Sequence, residues 1–149
     1  MSQDGRRARL DRMRNRTKQV TSAILAVTAV YVGAWAELAP RSFYDSFPGF
    51  GHRWVSAAGP YNEHLVRDVG GLYLVLLLVS LWAVVRSRGE IFALAGCAWL
   101  VFSVPHFVFH MVHLDGFGAA DKAGNVVSLG GTIVLAALLL LPSRIEEAS

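Results

Sequence analysis

The densest group of reactive side chains in this sequence is Pro105-His106-Phe107-Val108-Phe109-His110-Met111-Val112-His113, which holds three of the five histidines at spacings of four and three. On a helix, that spacing lines the imidazoles up in one stripe. A second group, Glu63, His64 and Asp68, lies at the start of another apolar stretch, and His64, Asp68 and Gly71 share a helical face by the same rule. Ionisable groups are expensive in an apolar span and are by default a hint of function.

Neutral imidazole and carboxylate together suit zinc, iron or copper(II), and a ligating histidine hands its other N–H to a carboxylate. The candidate metal ligands are therefore His64, His106, His110 and His113. Glu63 and Asp68 are the candidate catalytic groups, acting as general bases toward a metal-bound water or a lipid-soluble substrate. Met111 falls on a different helical face from His110, which argues against a soft copper(I) site. Three other chemistries stay open. The histidines can form a hydrogen-bonded or proton-handling network with Asp68 and Arg67. A haem can sit between His64 and a histidine of the second stripe. The chain can also be a non-enzymatic module that binds a quinone, a lipid or a partner subunit. His-x3-His-x2-His is less specific than His-Glu-x-x-His, which does not occur here, and neither does a Gly-rich phosphate loop or a nucleophile elbow.

The elements that carry these residues follow from composition. The chain has 149 residues, 54% of them hydrophobic, and the apolar residues gather into the runs Val20–Leu38, Val69–Val85, Ile91–Phe109 and Val126–Leu141. A helix needs about 20 mostly apolar residues to cross a hydrocarbon core of ~30 Å, and flanking residues lengthen the shorter runs. The expected fold is all-α, a polytopic four-transmembrane-helix bundle in the plasma membrane. Residues 1–18 form a basic arm, 19–142 the membrane domain and 143–149 a short tail.

Of the fourteen Lys and Arg residues, ten lie in the arm, the link between the second and third runs (Arg86, Arg88) and the tail (Arg144). Four (Arg41, Arg53, Arg67, Lys122) lie on the other side. Positive charge stays inside, so both termini are expected in the cytoplasm. The arm reads as a topology signal or a contact with anionic lipid, not as a nucleic-acid site. It also resembles a secretory signal ending at Ala34-Trp35-Ala36, although Trp35 and Glu37 fit the outer end of a retained span. The sole cysteine, Cys97, excludes an internal disulfide and reads as a small core hydrophobe.

Pro60 with Gly59 predicts the start of the second span, and Ser87 with Glu90 predicts a capping box for the third. The third span is expected to end near Leu114 with Gly116 as its left-handed stop, and the fourth to start near Asn125. Gly70, Gly71, Gly96, Gly130 and Gly131 mark where helices would approach closely. Between the first two spans lies an aromatic extracytoplasmic loop with Phe43, Tyr44, Phe47, Phe50 and Trp54, suited to the membrane interface or to covering a site. His52 within it reads as a solvated or interfacial residue rather than a further ligand.

The short link makes the second and third spans antiparallel neighbours. Folding the chain midway between Val85 and Glu90 pairs positions that sum to 175, which sets Glu63, His64 and Asp68 at the height of His106, His110 and His113. The expected site lies there, near the outer surface, and Pro105 is expected to bend the helix just before it.

The aromatic loop leading into Pro60-Tyr61-Asn62-Glu63-His64-Leu65-Val66-Arg67-Asp68-Val69-Gly70-Gly71, with the later Pro105-His106-x3-His110, resembles small bacterial membrane proteins of the DoxX-like type over about residues 20–142. The resemblance implies the four-helix fold. The thiosulfate–quinone chemistry linked with that name does not carry over, because no residue here matches a functional residue of it.

Overall fold

A computed structural model describes residues 3–142, apart from the side chains at positions 4, 7 and 8. The predicted tail 143–149, with Arg144, and the first two residues of the arm lie outside the described residues. The described chain is all helical: α1 (Gln3–Leu38), α2 (Pro40–Ser46), α3 (Trp54–Ala57), α4 (Glu63–Arg86), α5 (Gly89–Met111) and α6 (Ala119–Leu139). Four stretches are long and apolar enough to cross a membrane: Arg9–Leu38, Glu63–Arg86, Gly89–Met111 and Ala119–Leu139. The shortest has 21 residues, or ~31 Å at 1.5 Å per residue. Large apolar side chains such as Val27, Leu78, Val101 and Val127 point outward from all four helices. Such a surface is unfavourable in water and suits lipid.

Packing is uneven around the four helices. α1 lies mainly along α4 and α5 along α6, while α4–α5 and α1–α6 touch less. Glycine sets the two main seams. A Cβ at Gly70 would stand 2.8 Å from the Glu37 nitrogen, and one at Gly96 2.8 Å from the Ala136 carbonyl oxygen. Gly33, which the sequence did not single out, faces the Gly70 carbonyl and Leu74 across the first seam. Gly71 and Gly131 have open space where a Cβ would go, and Gly130 only an ordinary contact with Phe107. Three of the five predicted close-approach glycines are therefore not at seams, because they lie on faces that no helix covers tightly.

Element boundaries shift for local reasons. The basic arm is helical from Gln3 and continuous with α1. α4 starts at Glu63 rather than Pro60, because the Asn62 side chain accepts from the Leu65 N–H at 3.2 Å. Ser87 does not cap α5. It closes α4 in the left-handed conformation (φ 48°), its N–H on Ala83 and its hydroxyl on Val84. Arg88 then begins α5 without a side-chain cap. α5 runs through Pro105 unbroken and ends at Met111, short of Leu114. Gly116 is not left-handed, and α6 starts at Ala119, well before Asn125. Cys97 is exposed on the outer face of α5 rather than in the core.

The segment from residue 39 to residue 62 is an ordered cap rather than an open loop. Tyr31, Trp35, Phe43 and Phe47 form one ring cluster, with Phe43 and Phe47 4.6 Å apart. The Tyr31 hydroxyl donates to the Pro48 carbonyl at 3.0 Å, and the Tyr44 hydroxyl to the Gly59 carbonyl at 2.6 Å. These bonds hold the cap on the end of α1 where α4 begins, here called the cap end. The opposite end, where α4 turns into α5, is tied by Lys18 Nζ donating to the Leu141 carbonyl at 2.5 Å.

Candidate imidazole site at the cap end

On α5, His106 is half-buried and stacks on Phe102, with centroids 5.0 Å apart and planes at 22°. Its ring meets His110 edge-on at 4.6 Å, and Phe109 flanks His110 at 5.9 Å. Below them the aromatic stack continues across to α4. Phe102 meets Tyr73 at 5.1 Å, positions that the 175 register puts level, and Tyr73 meets Trp99 at 6.0 Å. The fully buried Trp99 donates from Nε1 to Ser80 Oγ at 2.8 Å, and Ser80 donates to the Leu76 carbonyl at 2.7 Å. This polar knot fixes α5 against α4 and so sets the floor under His106. No side-chain hydrogen bond to His106 or His110 exists among the described residues.

On α4, the pairing is local. His64 Nδ1 lies 2.8 Å from Asp68 Oδ2, and the two side chains are 85% and 61% exposed. Glu63 is held by Arg67 at 2.9 Å, and Arg67 also donates to the Glu37 carbonyl oxygen. Tyr61 sits beside this ion pair, its phenol pushed up by partial desolvation and by the Glu63 carboxylate. Arg41 lies over the Tyr61 ring at 5.0 Å and the Tyr44 ring at 5.7 Å, and its hydrogen bond with Asp45 raises its pKa further.

The predicted site residues thus fall into separate groups. His106 meets His110, His64 meets Asp68, and Glu63 meets Arg67. His113 stacks on Phe109 at 4.2 Å with Nδ1 2.7 Å from the Phe109 carbonyl. No hydrogen bond or ring contact joins the α4 groups to the α5 histidines among the described residues, and no three His, Cys, Asp or Glu side chains there are grouped to hold a metal ion.

One polar cluster had no counterpart in the sequence reading. Asp121 Oδ1, at the start of α6, faces His52 Nδ1 at 2.5 Å and accepts from Trp54 Nε1 at 2.8 Å. The Trp54 ring lies over Gly124, where a Cβ would stand 2.7 Å from it. His52 is therefore the cap's latch onto α6. Its partner lies 69 residues away, so no local spacing could have revealed the pair.

No protein-family model, curated protein or solved structure matches the chain.

Proposed function

We propose that this chain is a four-span membrane protein, its termini in the cytoplasm and its cap outside, that binds a lipophilic carbonyl compound of the quinone class at His106 and His110. One observation carries this reading: two half-buried imidazoles, His106 stacked on Phe102 and His110 edge-on to His106 and Phe109, have no hydrogen-bond partner among the described residues. Buried polar groups are normally paired, so such a pair calls for an occupant. An imidazole N–H donates to a quinone carbonyl, and Phe109, half-exposed beside His110, offers apolar surface to a flat ring. The half-exposed side of α5 faces lipid, from which an apolar ligand arrives without crossing water. The basic residues at the opposite end support the orientation.

The test is quenching of tryptophan fluorescence by a decyl-substituted benzoquinone in detergent-purified protein. Wild type is expected to saturate, and His106→Leu/His110→Leu to bind at least about tenfold more weakly, since two hydrogen bonds of about 1 kcal/mol each are lost. Equal affinity in both proteins would sink the proposal.

A second reading keeps the transition metal (zinc, iron or copper), because imidazoles four residues apart on one helix can act together as ligands. It needs further ligands brought in from elsewhere. Elemental analysis decides it: about one metal per chain, lost in the double variant, would favour metal, whereas negligible metal in both would remove it. An absorbance spectrum without a Soret band likewise retires haem.

A further inference from the structure

An indentation of about 470 Å³ lies at the opposite end from the histidines, in the angle between α4 and α5. Its walls divide by chemistry. Ile91, buried, forms the floor, and the half-exposed Trp82 and Leu94 line the side toward the middle of the helices. Arg86 and Arg88 form the rim at the helix ends. Trp82 and Arg86 are one helical turn apart and share a face. Neither arginine side chain makes an ion pair or hydrogen bond among the described residues. The remaining wall residue, Glu90, is exposed, so two guanidinium groups stand against one carboxylate and the rim is net positive.

We propose that this notch binds one anionic glycerophospholipid, its phosphate on Arg86 and Arg88 and its acyl chain along Trp82, Ile91 and Leu94. The sequence of walls matches the sequence of groups in such a lipid. An indole settles at headgroup level, so Trp82 marks the depth where phosphate gives way to hydrocarbon. Guanidinium is planar and matches phosphate oxygens two at a time. A basic pocket between membrane helices on the cytoplasmic side is where anionic headgroups collect. A free anion would use the arginines and leave the apolar wall uncovered; a zwitterionic lipid would use the wall and gain less at the rim. Arg86 also complements the C-terminal dipole of α4, a role that leaves its outer N–H groups open to a ligand.

Native mass spectrometry of detergent-purified full-length protein, supplied with equal dioleoyl phosphatidylglycerol and dioleoyl phosphatidylcholine, tests the site. Wild type is expected to retain the phosphatidylglycerol preferentially. Arg86→Gln/Arg88→Gln should lose that preference, by about fivefold or more for each arginine removed. Arg41→Gln/Arg53→Gln, which removes the same charge at the other end, should keep it. Arg86→Lys/Arg88→Lys, which preserves both charges, should retain part of it and serves where the glutamine variant does not accumulate. Undiminished preference in the glutamine variant, or complete loss in the lysine variant, overturns the proposal. Equal loss in the Arg41/Arg53 control would show charge alone at work and overturn it too. Displacement of the lipid by excess inorganic phosphate would make the notch a free-anion site instead.

Discussion

His64–Asp68 on α4 and His106–His110 on α5 have the same four-residue spacing and stand at similar heights, yet they are chemically opposite. His64 is exposed and paired with a carboxylate on its own helix. His106 is half-buried, its neighbour is another imidazole, and an aromatic ring lies beneath it. Spacing alone aligns side chains but does not say what faces them. An exposed His–Asp pair is largely satisfied by its own contact and by water or headgroups. Among the described residues the α5 pair has neither an acid nor a hydrogen-bond donor beside it, and the proposed ligand would supply its partner.

The comparison breaks most readily through the seams that hold the two helices. Gly96→Leu forces side-chain atoms against the Ala136 backbone of α6 and should cost about 3 kcal/mol or more. Gly71→Ala, on the His64–Asp68 face of α4, meets open space and should be neutral or stabilising by up to about 1 kcal/mol. Thermal unfolding in detergent, followed by circular dichroism, separates the two. A destabilised Gly71→Ala would mean that the α4 face is covered, and the contrast between the pairs would weaken.

A second His–carboxylate contact sharpens the point. His52–Asp121 resembles His64–Asp68 in its atoms, but it adds Trp54 as a further donor and joins the cap to α6. Asp121→Ala releases both donors together and should lower the melting temperature by several degrees. Asp68→Ala should barely move it. Proteolysis within residues 48–58 should accelerate only in the Asp121 variant, and equal rates in both would deny His52 its latch role.

Function divides the pairs in turn. His106→Leu/His110→Leu is expected to weaken quinone binding at least about tenfold through the loss of both N–H donors. His64→Leu/Asp68→Leu should change it less than about twofold, since no hydrogen bond or ring contact links that pair to the α5 rings among the described residues. Comparable losses in both variants would restore a shared site between α4 and α5.

The four spans were legible because hydropathy is local: each run announces its own helix regardless of its neighbours. The relative heights of α4 and α5 were legible too, because the link between them is so short that little freedom remains, and Tyr73 does meet Phe102. Helix rotation was not legible. Which face of α4 turns outward depends on the close α1 seam at Gly33 and Gly70, a contact between distant segments that no periodicity encodes. The cap was hidden for the same reason. Its bonds join Tyr31 to Pro48, Tyr44 to Gly59 and Trp54 to Asp121, and composition registers only that the segment is aromatic. Ser87 shows a subtler failure: its spacing to Glu90 fits a capping box, but in so short a link its hydroxyl is already used by α4.

The smallest expected effect is the worth of the α4 pair itself. An exposed ion pair on one helix gains little, because water screens it and two side chains must be ordered, so a double-mutant cycle over His64→Ala and Asp68→Ala should give about 0.5 kcal/mol or less. The cycle also tests the environment. Were this face sunk in hydrocarbon or covered by a second chain, removing one partner would strand the other in a dry setting, and the coupling would rise to several times that value. A small coupling would mean that His64 and Asp68 stand in a wet, screened setting where the start of α4 rises beyond the end of α1, and would leave the α5 imidazoles, among the described residues, as the half-buried histidine pair at the cap end.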